Sequence, residues 1–475
     1  MSAPDRFHDE CGVVGVYGDP DAARLTTLGL HALQHRGQEG AGIAAAGGER
    51  MVLHRGMGLV HDVFKAADLA TLEGSAAIGH VRYSTAGESS LRNVQPFLVR
   101  YVEGQVAIAH NGNLVNANPL RRQLEARGSI FATTSDTEVV LHLLAGSRQS
   151  TFVNRLVEAL YRVEGAYSLL LLTERELVAV RDPHGFRPLV LGARGDAFVV
   201  ASETCALELM GATYVREIAP GEMVIIDREG LLSLHPFPKR PRRACVFEHI
   251  YFARPDSVVF GMGVYETRVA LGRRLAVEHP AAVDCVIPVP DSGLAGALGY
   301  SEQSGVPFQF GLLRSHYVGR TFIEPSQQIR ALGVKLKLAP VRSVLQGKRV
   351  AVIDDSLVRG TTSQKIVKLL REAGAAEVHL RITAPPTTGS CFYGVDTPNK
   401  EELIAHRMDV EGIRAWLGAD SLGYLSLEGL RLVEGEQRGE FCEACFSGDY
   451  PVAPVSEVAE AQVPLFARGD DGGAA

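Results

Sequence analysis

No apolar run in this 475-residue chain approaches the ~20 residues of a membrane span, so a spanning helix is excluded as an organising element. The first ten residues, MSAPDRFHDE, are polar and acidic and hold no apolar signal core. Positive charge is not in excess. Lys and Arg number 48 against 55 Asp and Glu, and the net charge of −7 argues against general nucleic-acid binding. Phosphorylated substrates, which need only local positive groups, stay compatible. Cysteine is scarce and odd in number: seven residues are scattered along the chain, which suits no disulfide framework. In a reducing compartment such thiols are catalytic, metal-bound or simply buried. The expectation is a cytoplasmic enzyme with no nucleic-acid or membrane partner. Its length suggests two to four domains at roughly 150 residues each.

The densest chemistry lies at Val350 to Ser363, VAVIDDSLVRGTTS. Val350 to Ile353 is a β-branched apolar run and predicts a buried strand. Asp354 and Asp355 follow, then Arg359, Gly360, Thr361, Thr362 and Ser363. Ile366, Leu369, Leu370 and Ala373 share one face of a predicted helix that Gly374 closes. A helix start offers unpaired N–H groups and a positive dipole end, which suit a phosphate. Gly360 permits close backbone approach, and the three hydroxyls can donate to phosphate oxygens. The paired carboxylates suit a sugar diol or, as oxygen ligands, Mg²⁺. A plainer reading makes one of these residues a helix cap. The whole run resembles the signature of the type I phosphoribosyltransferases. The resemblance implies that Asp354 and Asp355 hold the ribose hydroxyls of phosphoribosyl pyrophosphate, and that Arg359 to Ser363 cradle its 5′-phosphate.

The first half opens on Cys11-Gly12-Val13-Val14-Gly15-Val16-Tyr17, a small-residue strand headed by a thiol. Three later stretches bear on it. Gly79 to Thr85 carries Arg82 beyond an apolar start; His110-Asn111-Gly112-Asn113 follows a strand-like run; Thr134 to Glu138 precedes apolar residues and holds Asp136. Singly, these read as a surface arginine, an Asn-Gly hairpin turn and a helix N-cap. In this order, and with Gln34 to Gly40, they resemble the glutaminase domain of the N-terminal-nucleophile amidotransferases. The resemblance implies an αββα sandwich with Cys11 as nucleophile, the Asn111 side chain and Gly112 N–H as oxyanion hole, and glutamine bound by Arg82 and Asp136. A terminal cysteine carries its own base, an α-amino group titrating near ~7.7–8.0. Here that nitrogen is tied up in the Glu10–Cys11 peptide bond. Residues 1–10 are therefore expected to be a propeptide removed autocatalytically.

Residues 235 to 243, a Pro-rich basic stretch, read as a solvated linker, and the boundary is placed near Phe237. Beyond it stand Cys245, Cys391 and the pair Cys442 and Cys445. One Cys-x-x-Cys with two distant partners is compatible with structural zinc, an iron–sulfur cluster or a redox dithiol; spacing does not choose. Asp284 to Pro290 reads as a strand ending at a loop with Ser292, a candidate Mg²⁺ or pyrophosphate contact. Residues 314 to 330 suit a mobile loop that closes over an anionic substrate, with Tyr317 and Arg320 in it.

Taken together these stretches resemble the iron–sulfur-containing, propeptide-bearing branch of the amidophosphoribosyltransferase family. That resemblance favours a structural [4Fe–4S] cluster on the four cysteines. It implies an α/β chain divided as propeptide (1–10), glutaminase domain (11–237), phosphoribosyltransferase domain with a parallel sheet (238–451) and tail (452–475), the end of the tail disordered. It further implies purine synthesis, with glutamine and phosphoribosyl pyrophosphate as substrates, Mg²⁺, ammonia passed between two sites, nucleotide feedback inhibitors and a homotetramer. Two rivals are another cysteine-first amidotransferase, which the 350–363 stretch opposes, and a cluster-bearing sensor without catalysis.

Overall fold

The computed structural model of the chain describes residues 11–48, 50–83, 90–315, 338–397 and 399–453. The expected propeptide, Tyr317 and Arg320 of the expected lid, and the tail beyond residue 453 lie outside the described residues.

Two antiparallel sheets form the first half. One has seven strands in the order Thr213–Glu217, Val190–Arg194, Ala197–Ala201, Gly12–Tyr17, Ala76–Arg82, Gly40–Gly47, Arg50–Met57. The other has six: Gly230–Leu234, Met223–Asp227, Leu177–Arg181, Gly165–Thr173, Gly104–Leu114, Phe97–Tyr101. Side chains alternate along a strand, and here both faces are apolar because both are covered. Val13, Ala44 and Ile78 of the first sheet pack against Ala107, Leu170, Ala179 and Val224 of the second. On the outer faces, Val14, Val16 and Ile43 lie under helices Ala22–Ala32 and Thr204–Leu209. Ile108, Leu169 and Leu171 lie under Ala117–Glu125, Thr137–Gly146 and Phe152–Leu160. The layers run helix, sheet, sheet, helix, as expected. The two sheets approach closely where Gly15 faces Leu177; a Cβ on Gly15 would sit 2.9 Å from that side chain's Cδ1.

The second half is built on a parallel sheet in the order Cys285–Pro288, Arg349–Asp354, Glu377–Ile382, Ser421–Tyr424. Helices Val264–Glu278, Leu294–Ser304, Thr361–Glu372 and Val410–Leu417 pack about it. Two short helices, Ile404–Arg407 and Val410–Leu417, follow each other ahead of the last strand of this sheet. Asp409 starts the second piece by accepting from the Gly412 N–H at 2.8 Å, a local cap that the apolar pattern alone concealed.

The halves are stitched together rather than joined by a free tether. Just past the junction Ala244–Cys245 pairs in parallel with Phe441–Cys442 of its own half, while the Cys245 N–H donates to the Phe186 carbonyl of the first half at 3.0 Å. Arg242 makes ion pairs with Glu440 (2.9 Å) and Glu217 (3.3 Å), and the Arg243 N–H donates to the His184 carbonyl at 2.8 Å. Lys239 and Arg240 are exposed, but the end of the basic stretch is fastened at both sides, which corrects the reading of a wholly solvated linker.

Candidate active sites

Cys11 stands one residue ahead of strand Gly12–Tyr17, buried, with its thiol 3.5 Å from the Tyr83 carbonyl oxygen. Gly12 pairs with Val81, so the next residue on that neighbouring strand, Arg82, comes alongside the thiol. Arg82 is buried and reaches Glu39 at 4.0 Å. Burial pushes the Cys11 thiol up to about 11 despite the backbone of Tyr83 and the fields of Arg82 and Arg36, which act to lower it. At pH ~7.5 such a thiol is ionised in roughly one molecule in 3,000, so it needs a base. Asp136 also acts on this thiol, which puts Cys11 and Arg82 of the first sheet and Asp136, at the start of helix Thr137–Gly146, in one electrostatic neighbourhood.

Asn111 and Gly112 are not a hairpin turn. Strand Gly104–Leu114 runs straight through them, with Asn111 opposite Ser168 and Gly112 opposite Tyr167. Gly112 has φ +147°, and a Cβ there would lie 2.1 Å from the Ala166 carbonyl oxygen, so no other residue fits. The Asn111 amide is buried, and neither its nitrogen nor its oxygen has a hydrogen-bond partner among the described residues. A buried amide left so is destabilising unless a ligand supplies its partner. Asp136 precedes helix Thr137–Gly146 but does not cap it; its carboxylate accepts from the Leu114 N–H at 2.9 Å. Burial would raise that carboxyl, but His110, 3.7 Å away, and hydrogen bonds from Leu114 and Thr137 hold it below the usual value.

Behind the nucleophile lies a network that the sequence reading missed. Arg36 Nε donates to the Cys11 carbonyl oxygen at 3.2 Å. Its fork is gripped by Glu203 (2.6 Å) and by Glu248 (2.9 and 2.6 Å), and Arg187 donates to Glu248 at 2.7 Å. All four side chains are fully buried. Glu203 also accepts from His35 (2.7 Å), the Ser257 hydroxyl (2.7 Å) and the Arg254 N–H (2.9 Å). Glu248 and Ser257 come from beyond the 235 to 243 stretch, so the second half reaches the nucleophile's own backbone. Arg36 lies in the Gln34 to Gly40 motif, but neither Glu203 nor Glu248 stands in a pattern that names a role.

In the second half Asp354 ends the second strand of the parallel sheet, and Asp355 follows it; both are buried. The Asp355 N–H donates to the Asp354 carboxylate at 3.0 Å, and the Ser356 hydroxyl donates to Asp355 Oδ1. Asp355 Oδ2 has no partner among the described residues, nor has the buried hydroxyl of Ser292. Their segments are neighbours: the Val289 N–H donates to the Ile353 carbonyl at 2.8 Å, and a Cβ on Gly293 would sit 2.3 Å from that same oxygen. The expected loop and the acidic turn thus meet at the carboxyl ends of adjacent parallel strands, where α/β sheets hold ligands. Gly360 has φ +82° and caps helix Thr361–Glu372, whose first turn carries Thr361, Thr362 and Ser363. Arg359 is engaged with Glu402 at 2.9 Å.

The four cysteines expected to hold metal line one cavity, with Phe186, Phe247, Tyr393, Ala444 and Tyr450 completing its wall. Strand pairing sets Cys245 directly opposite Cys442. The N–H groups of Thr388 and Gly389 both donate to the Cys445 carbonyl at 3.0 Å, which brings in the segment of Cys391. Four thiols in a wall that, apart from Thr397, is otherwise aromatic and aliphatic are a donor set for a soft metal centre. Among the described residues no three His, Cys, Asp or Glu side chains already converge on a single-ion position. Cys205 and Cys285 are buried elsewhere, as expected.

Residues 80–209 match the model of the glutamine amidotransferase domain family. The chain is 61% identical over 452 residues to the chloroplastic amidophosphoribosyltransferase of Glycine max, covering 94% of this chain and 79% of that one. It is 51% identical over 451 residues to the amidophosphoribosyltransferase of Bacillus subtilis, covering 94% of each. Among solved structures, the B. subtilis glutamine phosphoribosylpyrophosphate amidotransferase complexed with ADP and GMP matches with TM-score 0.90 and 50% identity over 94% of this chain and 98% of that one. A structure described as the allosteric regulatory enzyme of purine biosynthesis matches with TM-score 0.91, at 50% identity over 94% of this chain and 97% of that one.

Proposed function

The chain belongs to the amidophosphoribosyltransferase family, and from that premise we propose how its own residues divide the work. The reaction joins glutamine, phosphoribosyl pyrophosphate and water to give 5-phosphoribosylamine, glutamate and pyrophosphate, in purine synthesis. The observation that supports the assignment of sites is a set of buried, unpartnered groups in both halves: the Asn111 amide in the first, and the Asp355 carboxylate oxygen and the Ser292 hydroxyl in the second.

In the glutaminase domain, residues 11–237, removal of residues 1–10 frees the Cys11 α-amino group. That amine takes the thiol proton, and the thiolate attacks the glutamine side-chain carbonyl. The Asn111 amide and Gly112 N–H receive the oxyanion, while Arg82 and Asp136 hold the α-carboxylate and α-ammonium. Ammonia leaves, and water hydrolyses the γ-glutamyl thioester to glutamate. In the phosphoribosyltransferase domain, residues 238–451, Asp354 and Asp355 hold the ribose hydroxyls and Arg359 to Ser363 the 5′-phosphate. Tyr317 and Arg320 belong to the lid that closes over it. Ammonia passed internally from the first site attacks C1 of the ribose as pyrophosphate departs. Mg²⁺, when bound by Asp354, Asp355 and Ser292, supplies charge neutralisation at the leaving pyrophosphate. Arg268 is buried and its field reaches Asp355, so the pair of acids faces a fixed cation.

Cys245, Cys391, Cys442 and Cys445 hold a [4Fe–4S] cluster with a structural role; their common cavity supports this. Purine nucleotides act as feedback inhibitors, and the assembly is a homotetramer. No helix among the described residues is long and apolar enough to cross a membrane. All seven cysteines are free, which fits a reducing compartment. The plant relatives are named chloroplastic, so compartment differs within the family; the cytoplasm is proposed for this chain.

The deciding experiment measures glutamate release by anaerobically purified protein with glutamine and Mg²⁺, with and without phosphoribosyl pyrophosphate. Release that depends on the sugar phosphate, matched by pyrophosphate, is expected. Cys11→Ser should abolish glutamine-dependent synthesis and spare ammonia-dependent synthesis. Intact mass should place the mature N-terminus at Cys11, and each chain should carry about four iron and four sulfide. Release indifferent to the sugar phosphate, or a retained leader in active enzyme, would overturn the corresponding part.

A further inference from the structure

The oxyanion strand of the first half is touched by the second half. Asn113, next to Gly112, donates through its side-chain amide to the Phe392 carbonyl at 2.9 Å, across 279 residues of sequence. Gly394, two residues further along that segment, lies flat against Gly112: a Cβ on Gly394 would sit 3.0 Å from the Gly112 Cα, 3.1 Å from its carbonyl carbon and 3.3 Å from its oxygen. Within its sheet Gly112 is also crowded by the neighbouring strand, a Cβ there lying 2.1 Å from the Ala166 carbonyl oxygen. The donor peptide is therefore clamped between a strand of its own sheet and a loop from the other half.

That loop is itself held. Tyr393 stacks on the fully buried Phe186 with ring centroids 4.3 Å apart and an interplanar angle of 19°. Its hydroxyl donates to the Val452 carbonyl at 2.6 Å, and the Val452 N–H returns a bond to that hydroxyl at 2.9 Å. The Cys391 N–H donates to the Thr397 hydroxyl at 2.8 Å, closing the loop on itself. A peptide held by its sheet neighbour and by a second, independently anchored loop has little freedom in the direction of its N–H, and a misplacement of ~1 Å at such a donor is enough to lose roughly 100-fold in rate.

We propose that Phe392 and Gly394 are positioning residues for the glutaminase oxyanion hole: they touch no substrate, and act by fixing the peptide of Gly112 through backbone contact and through Asn113. This rests on the glutaminase reading above. The role predicts an effect confined to the transition state, because the oxyanion exists only there.

The test uses the processed full-length holoenzyme carrying Gly394→Ala or, separately, Asn113→Ala. Four quantities are read at saturating phosphoribosyl pyrophosphate: kcat and KM for glutamine, the dissociation constant of the aldehyde analogue of glutamine, the ammonia-dependent rate, and iron per chain. The aldehyde adds the Cys11 thiol across its C=O, and the resulting oxyanion-like oxygen reports the hole directly. Expected is a fall of roughly ten-fold or more in kcat with an equal loss of aldehyde affinity, and a KM within about two-fold of the parent. Iron content and the ammonia-dependent rate should hold. A loss shared equally by KM and aldehyde affinity, or by both activities, overturns the proposal, as does no change in either variant. Should Gly394→Ala lose iron or fail to fold, Asn113→Ala decides on the same readouts. A parent enzyme that releases no glutamate and takes up no aldehyde overturns the glutaminase reading itself.

Discussion

Glu248 is the residue whose removal should be felt most widely, because it closes a buried charge network across the two halves. Its carboxylate accepts three charge-assisted hydrogen bonds, from Arg36 at 2.9 and 2.6 Å and from Arg187 at 2.7 Å, with no solvent at any of the three side chains. Glu248→Gln keeps the shape, removes the charge, and turns an N–H₂ toward guanidinium donors. Arg36 retains Glu203, so the uncompensated cation is chiefly Arg187. Leaving one buried charge without its partner costs about 3–5 kcal/mol. Arg187→Met in the same chain removes that cation, and the double variant should recover at least ~1 kcal/mol relative to the sum of the single changes. Urea unfolding followed through Trp416, the one tryptophan in the chain and a residue of the same half as Glu248, measures this directly. A Glu248→Gln cost under ~1 kcal/mol, or singles that add within ~0.5 kcal/mol, would refute the claim that the network is dry and mutually dependent.

Acid should weaken the same network. The Glu203 and Glu248 carboxyls are buried, which would raise them, yet His35 and Arg36 hold Glu203, and Arg36 and Arg187 hold Glu248, below the ordinary value. Depressed groups contribute stability that is complete above about pH 4.5 and is lost as pH falls through their folded-state values, so urea midpoints should drop below about pH 4.5, and less steeply in Glu248→Gln. Asp355→Asn should remove a charge-assisted contact to the ribose worth about 2–3 kcal/mol, lowering ammonia-dependent kcat/KM for the sugar phosphate by roughly 30- to 150-fold; unchanged kinetics would take Asp355 out of the site. Gly360→Ala should destabilise by about 1–2 kcal/mol and raise KM for the sugar phosphate, because φ is +82° and the new Cβ would sit 2.8 Å from both Ile404 and Trp416; an unshifted urea midpoint would contradict this.

Much of the chemistry was legible because it is local. The stretch 350 to 363 holds a strand, its acidic end and a helix start within fourteen consecutive residues, and strand Arg349–Asp354 and helix Thr361–Glu372 fall where the apolar pattern put them. Strands Leu177–Arg181 and Met223–Asp227 are local in the same way, since a β-branched run between turns says strand without help from its neighbours. Asn111-Gly112 shows the limit. That dipeptide is a turn signal, and only the pairing of strand Gly104–Leu114 with Gly165–Thr173 along its whole length overrides it. The strands Gly40–Gly47 and Arg50–Met57 were not anticipated, being rich in Gly and Ala or mixed in polarity; they exist because the sheet beside them accepts them.

What could not be read is the junction. Arg36, Arg187, Glu203 and Glu248 are spread over more than two hundred positions, and each alone is a charged residue that solvent would suit as well as a partner would. Their meaning comes from being dehydrated together, which only the packing of the two halves decides. The same holds for Gly394: its neighbours predict a cysteine loop, while its function, on the argument above, comes from lying against Gly112. The nucleophile's carbonyl is therefore held by a guanidinium whose fork is set by one glutamate from each half, and the expected oxyanion donor is held by a loop of the second half. A chain truncated after residue 237 would keep every residue assigned to glutamine chemistry, yet lose Glu248 at Arg36 and Phe392 and Gly394 at the oxyanion strand. Its glutaminase rate should collapse even where its sheets still form, because the missing contacts orient the catalytic groups and do not supply them.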